Sequence, residues 1–169
     1  MKELFEHLHA ASLPLQNLEQ HGRGVLLDTC FLFYMAEHQK LNLIDQLAKQ
    51  RQVLISSFNA EEILLKAHVV SNDAKDNLRH WLKHSPNVSL LNVPVHPGEW
   101  AEEKAFVQSV NPGILARMHD ASDAVLFAQA LQNNCDILTR DKHHLFTTLL
   151  ENFANHGGIK VEKDIHDLG

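Results

Sequence analysis

Cysteine is nearly absent from this chain, and so are the long apolar runs and the excess of positive charge that would mark several broad protein classes. Cys30 and Cys135 are the only cysteines; each sits in an apolar setting beside a predicted strand end and reads as a small buried thiol, not half of a bridge. No stretch reaches the roughly 20 apolar residues that span a bilayer, so no membrane association is expected. The opening Met1-Lys2-Glu3-Leu4-Phe5-Glu6-His7-Leu8 is amphipathic and carries acids, unlike a signal or transit peptide, and the expectation is a cytoplasmic protein. The net charge is −6 with histidines neutral, which excludes a protein that coats nucleic acid through a strongly basic surface. The 13 histidines are scattered and lack the C-x-x-C or H-E-x-x-H spacing of a zinc site.

What is present fits one domain over residues 1–169. A chain of that length can bury roughly 70% of its unfolded surface without disulfides or metal staples. Residues 1–23 read as a helical extension: Leu4, Phe5 and Leu8 share a face, Pro14 interrupts, and Leu15 and Leu18 resume. Short apolar runs then alternate with helical patterns. Val25–Leu27, Val53–Ser57, Val88–Val93, Cys135–Thr139 and Ile159–Val161 predict strands, the last at an edge. Between and after them, residues 31–36, 41–50, 59–66, 73–84, 99–109, 119–131 and 145–155 predict helices. The helix at 99–109 carries an acidic face expected to be solvated, and Asn133-Asn134 stops the helix before it. This alternation implies an α/β three-layer sandwich, with a mostly parallel central sheet of about five strands flanked by helices.

Acids recur at the carboxyl ends of these strands. Asp28 follows Val25–Leu27 and precedes Thr29; by itself it is explained equally well as a helix cap. Glu61 and Glu62 open the helix after the second strand, and residues about 100° apart cannot both face one cleft. Asp120 and Asp123 begin a helix that is apolar nearly all round, and two acids are more than one cap requires. Asp141 follows Thr139-Arg140 at the end of the fourth strand. In a doubly wound sheet these positions converge on one rim. Clustered carboxylates raise one another's pKa, and a hard divalent ion, Mg²⁺ or Mn²⁺ held partly through water, removes that penalty.

In Leu27-Asp28-Thr29, Ile55-Ser56-Ser57 with Glu62-Ile63-Leu64, Asp123-Ala124-Val125-Leu126-Phe127-Ala128-Gln129-Ala130-Leu131 and Ile137-Leu138-Thr139-Arg140-Asp141-Lys142, the chain resembles the PIN-domain family of nucleases. The resemblance spans residues 25 to about 146. It implies Asp28, Glu62, Asp123 and Asp141 as an acidic metal site, with Thr29 and Thr139 as polar supports; Asp120 is added as a third support. It favours Glu62 over Glu61. Three features depart from the family: Asn59-Ala60-Glu61 replaces the more apolar run usual before the glutamate, His143-His144 stand where many relatives have a further acid, and the 24 residues before the first strand exceed those of toxin ribonucleases.

The chemistry implied is metal-assisted hydrolysis of RNA phosphodiesters. Asp28 and Asp141 are expected as direct ligands, Asp123 as ligand or bridge, and Glu62 as ligand or as the base that orients water. Arg140 and Lys142, with Lys66 and Arg117, are candidates for phosphate contacts. A homodimer is a possibility from the family analogy, and an antitoxin partner is expected only of a toxin-type member. The alternative is a catalytically inactive PIN-like module that binds RNA or a protein. A phosphatase of the aspartyl-phosphate type would need an acid two residues after Asp28, where Cys30 stands.

Overall fold

The computed structural model describes residues 9–10, 23–85, 87–141 and 157–169. Its strands are β1 His9–Ala10, β2 Val25–Leu27, β3 Val53–Ser56, β4 Val88–Leu91, β5 Asp136–Leu138 and β6 Val161–Glu162. Its helices are α1 Thr29–Glu37, α2 Leu41–Leu47, α3 Ser57–Lys66, α4 Asn72–His84, α5 Trp100–Val110 and α6 Ala121–Asn133. All strand pairs are parallel, in the order β1-β4-β3-β2-β5-β6. The five strands from Val25 onward match the sequence-based expectation; the sheet is wholly parallel, not mostly so.

The short strands work because their residues serve two cores at once. In β2, Val25 and Leu27 enter a cluster with Phe31, Ile44, Leu78 and Trp81 from α1, α2 and α4. Leu26, pointing the other way, joins Val107 of α5 and Ala124, Phe127 and Ala128 of α6. Successive side chains on a strand alternate faces, so three consecutive apolar residues require a covered sheet on both sides. The same split places Val53 and Ile55 on the first face and Leu54 on the second.

The chain steps from β2 outward to β3 and β4, then returns to β5 on the other side of β2. That reversal puts a topological switch point between β2 and β5, whose register pairs Val25 with Asp136 and Leu27 with Leu138.

Three expectations need correction. His9–Ala10 lies in the segment read as helical, yet it pairs with Ser89 and Leu90 at the outer edge of β4. An open strand edge offers unpaired backbone groups, and pairing satisfies them where local helical spacing does not. The face of α5 read as solvated contains Glu103, which is buried; its Oε1 accepts the Gly98 N–H at 2.7 Å. The third strand also stops at Leu91, because the Val93 N–H donates to Ser57 Oγ instead of to the sheet. Asn134 ends α6 in the left-handed conformation, φ 53°, as a helix-stopping Asn can. The helix expected at 145–155 lies outside the described residues.

At the amino end of β5, buried Asp136 accepts from Arg51 Nη2 at 2.6 Å and from the Lys160 N–H at 2.9 Å, while Arg51 also reaches the Arg23 carbonyl. Arg51→Ala leaves that carboxylate buried without its cation and is expected to lower unfolding stability by ~3 kcal/mol. Urea unfolding checks this prediction, and a loss below ~1 kcal/mol would show that Asp136 keeps a solvent route.

Candidate active site

Asp28 stands directly after β2 and does two jobs. Its Oδ1 accepts the Thr29 N–H at 2.7 Å, so it is the N-cap of α1, as the simpler reading supposed. Its Oδ2 accepts the Thr139 hydroxyl at 2.6 Å and the Cys30 thiol at 2.7 Å. Those two donors are themselves held by the turn after β5. The Asp141 N–H donates to Thr139 Oγ1 at 3.1 Å and the Arg140 N–H to Cys30 Sγ at 3.2 Å. Two short relays therefore run from the Thr139–Asp141 turn to one carboxylate oxygen. The segment carrying Asp141 is fixed against Asp28 across the switch point.

Glu62 joins from α3. It is buried, and its Oε2 accepts the Thr29 hydroxyl at 2.9 Å while its Oε1 accepts Lys66 Nζ at 2.6 Å. Glu61, one residue earlier, faces outward and pairs with His96 at 2.9 Å. The geometry thus distinguishes the two glutamates. Asn59 stitches the pieces together: Nδ2 lies 3.2 Å from Thr29 Oγ1 and 3.5 Å from both Asp28 Oδ1 and Glu62 Oε2. Its Oδ1 accepts the Ser56 hydroxyl at 2.7 Å, so Ser56, the N-cap of α3, orients the amide.

Asp123 enters from the first turn of α6. Asp120 is the N-cap there, its Oδ1 accepting the N–H groups of Ser122 at 2.9 Å and Asp123 at 3.2 Å. With the cap supplied by Asp120, the Asp123 carboxylate is free of that duty. Burial, then the negative charges of Asp120, Asp28, Asp141 and Glu62, push Asp123 up to about 7. Burial also raises Asp28, and Glu62 adds to the rise, against the lowering by the Cys30 and Thr139 donors. The acids predicted from sequence therefore belong to one electrostatic cluster.

The other sequence candidates fare differently. Arg140 lies over the Tyr34 ring, 3.9 Å from its centroid, and donates to the Lys163 carbonyl, so its guanidinium is engaged away from the carboxylates. Arg117 donates to the Gly113 carbonyl on the surface. Lys142 and His143-His144 lie outside the described residues. Sequence reasoning missed Asn59 and Cys30 as members of the network. Asn59 could have been found, since it precedes Glu62 by three residues and shares its helix face. Cys30 read as inert because a thiol is a weak donor; here it is partly exposed and bonded to the carboxylate, and burial raises it to about 12.

Among the described residues the donor set is oxygen, with no neighbouring Cys–His array, and suits a hard cation. Among the described residues no three His, Cys, Asp or Glu side chains close into a ready cage. Mg²⁺ does not require one, since it is commonly held by one or two carboxylates with waters and substrate phosphates completing its shell.

A family model described as PIN domain matches residues 25–147. A chain of the crystal structure of VapBC2 from Rickettsia felis, bound to a DNA fragment from their promoter, superposes with a TM-score of 0.54. The two share 13% identity over 82% of this chain and 97% of that one, so the likeness concerns the fold. A comparison with curated proteins returns no match.

Because Asp123 is neutral more readily when folded than when unfolded, its contribution is unpenalised near pH 4 and becomes increasingly unfavourable as pH rises to about 7. Asp123→Asn is therefore expected to stabilise the metal-free protein at pH 8 by at least ~1 kcal/mol, roughly 2–4 °C in Tm for a chain of this size. The gain should shrink as pH falls toward 5. Melting curves of both proteins across that range decide it, and a pH-independent difference would remove charge repulsion as the cause.

Proposed function

The chain belongs to the PIN-domain family, and on that premise we propose that it is a metal-dependent ribonuclease whose acidic cleft hydrolyses RNA phosphodiester bonds. The observation that carries this reading is the gathering of Asp28, Glu62, Asp123 and Asp141 into one electrostatic cluster at the carboxyl end of the sheet. Helix capping accounts for Asp28 and Asp120, but it does not account for the buried carboxylate of Glu62 or for the half-buried Asp123.

Asp28, Asp123 and Asp141, with Glu62 as a ligand or water-orienting base, would hold Mg²⁺ or Mn²⁺. The ion when bound supplies a water of lowered pKa and neutralises charge on the phosphate. The chain's own residues do the positioning. Thr139 and Cys30 direct Asp28, Thr29 and Asn59 fix Glu62, and Asp120 leaves the Asp123 side chain free by taking the capping bonds. Lys66, about half exposed and bonded to Glu62, is among the described residues a cation on this rim that can turn toward a phosphate.

The pure protein is expected to cleave single-stranded RNA with Mg²⁺ or Mn²⁺ and to stop on addition of EDTA. Asp123→Asn should reduce cleavage at least roughly a hundredfold, more than the 10- to 100-fold expected of Thr139→Val, which removes a donor behind a ligand. Gel assays on a broad RNA panel, with melting curves to verify folding, make the test. Cleavage that survives both EDTA and Asp123→Asn would sink the assignment. No metal-dependent cleavage by the wild type would favour a module that binds without cutting.

A further inference from the structure

Trp100 opens α5 with 57% of its surface exposed, whereas Trp81 is buried. A large aromatic left in solvent is costly unless something covers it. It borders a cavity of about 180 Å³ lined by Gly98, Trp100, Glu103, Ala121 and Ser122. Ala121 and Ser122 lie between Asp120 and Asp123, so the cavity wall runs directly into the acid cluster. Consecutive Cα atoms are about 3.8 Å apart, and consecutive helical residues point about 100° apart. Ser122 and Asp123 thus serve neighbouring compartments, and one nucleotide can bridge them.

The surroundings select what could enter. Glu99, Glu102 and Glu61 crowd this side, and their charges act on His96. A phosphate would be repelled there, while a neutral flat ring would not. The Glu103 carboxylate is buried and already accepts the Gly98 N–H, which shapes the cavity floor. Lys104 Nζ stands over the indole, 4.4 Å from its centroid. It covers one ring face and leaves the other for an entering ring.

We propose that Trp100 and the adjoining Gly98–Ser122 cavity form a stacking subsite for an unpaired nucleobase next to the acidic cleft. It would hold the RNA strand beside the cleaved bond. The proposal rests on the ribonuclease reading above, and its test separates the two. Stacking on an aromatic tolerates different bases, so the subsite selects single strands and not a sequence.

The test uses full-length Asp123→Asn protein, a labelled eight-nucleotide single-stranded RNA and fluorescence anisotropy in Mg²⁺. Adding Trp100→Ala should raise Kd roughly 10- to 100-fold, and Trp100→Phe should restore most of the loss. Because Trp100 is exposed, neither change should disturb the melting temperature. In a scan of abasic positions, one oligonucleotide should lose affinity for the parent protein but lose nothing further with Trp100→Ala. An unchanged Kd in Trp100→Ala, or no binding at all, overturns the subsite; if the wild type still cleaves RNA, the nuclease reading survives that result. Trp100-dependent binding without wild-type cleavage in Mg²⁺ keeps the subsite and overturns the nuclease reading instead.

Discussion

A single buried carboxylate, Asp28, sets the geometry on which the rest of the site depends. A charge taken out of water must be bonded, and this one accepts from a backbone N–H, a hydroxyl and a thiol. Each donor fixes a different part of the chain. Thr29 starts α1, Thr139 directly follows the neighbouring strand, and Cys30 receives the N–H of Arg140 from the turn beyond it. The β2–β5 register makes this possible, because Leu27 and Leu138 are level and their chains leave the sheet side by side. A one-residue slip would turn every side chain of β5 to the other face and withdraw Thr139 from Asp28. The apolar cores thereby determine which acids can meet.

The parts of this arrangement legible in sequence were those written in local pattern. Val25–Leu27 and Val53–Ser56 are short, apolar and bounded, so they read as doubly covered strands, and both cores claim their residues. The acids stood out because capping explains one per helix and the chain supplies more. Harder to read was anything decided across the sheet. His9–Ala10 pairs with β4 through backbone groups, to which side-chain spacing is blind. Glu103 is buried because of a loop amide at Gly98, which no helical face pattern encodes. Cys30 was undervalued for a related reason: its donor role exists only once Thr139 and Arg140 arrive from 109 and 110 residues away. Between Glu61 and Glu62, periodicity permitted either; in the fold their partners differ, since His96 takes one and Thr29 the other.

Two buried aspartates on neighbouring strands show why the acidic end reads as a site and not as mere architecture. Asp136 begins β5, and the chain answers it fully, with the Arg51 guanidinium on one oxygen and the Lys160 N–H on the other. Asp28 follows β2 at the opposite end of the sheet, and among the described residues its hydrogen-bond partners include no cation. Lys66 is spent on Glu62, and Arg140 lies over Tyr34. The fold therefore has the means to neutralise a buried acid and uses them at the end away from the cleft. At the cleft it adds Glu62 and Asp123 to an acid already raised by burial, and burial first, then mutual repulsion, push Asp123 up to about 7. A sequence shaped for stability alone would have no use for that repulsion, because replacing an acid by its amide removes it. The repulsion is what a divalent cation would relieve, and stability withheld from the empty cluster becomes binding free energy for the ion.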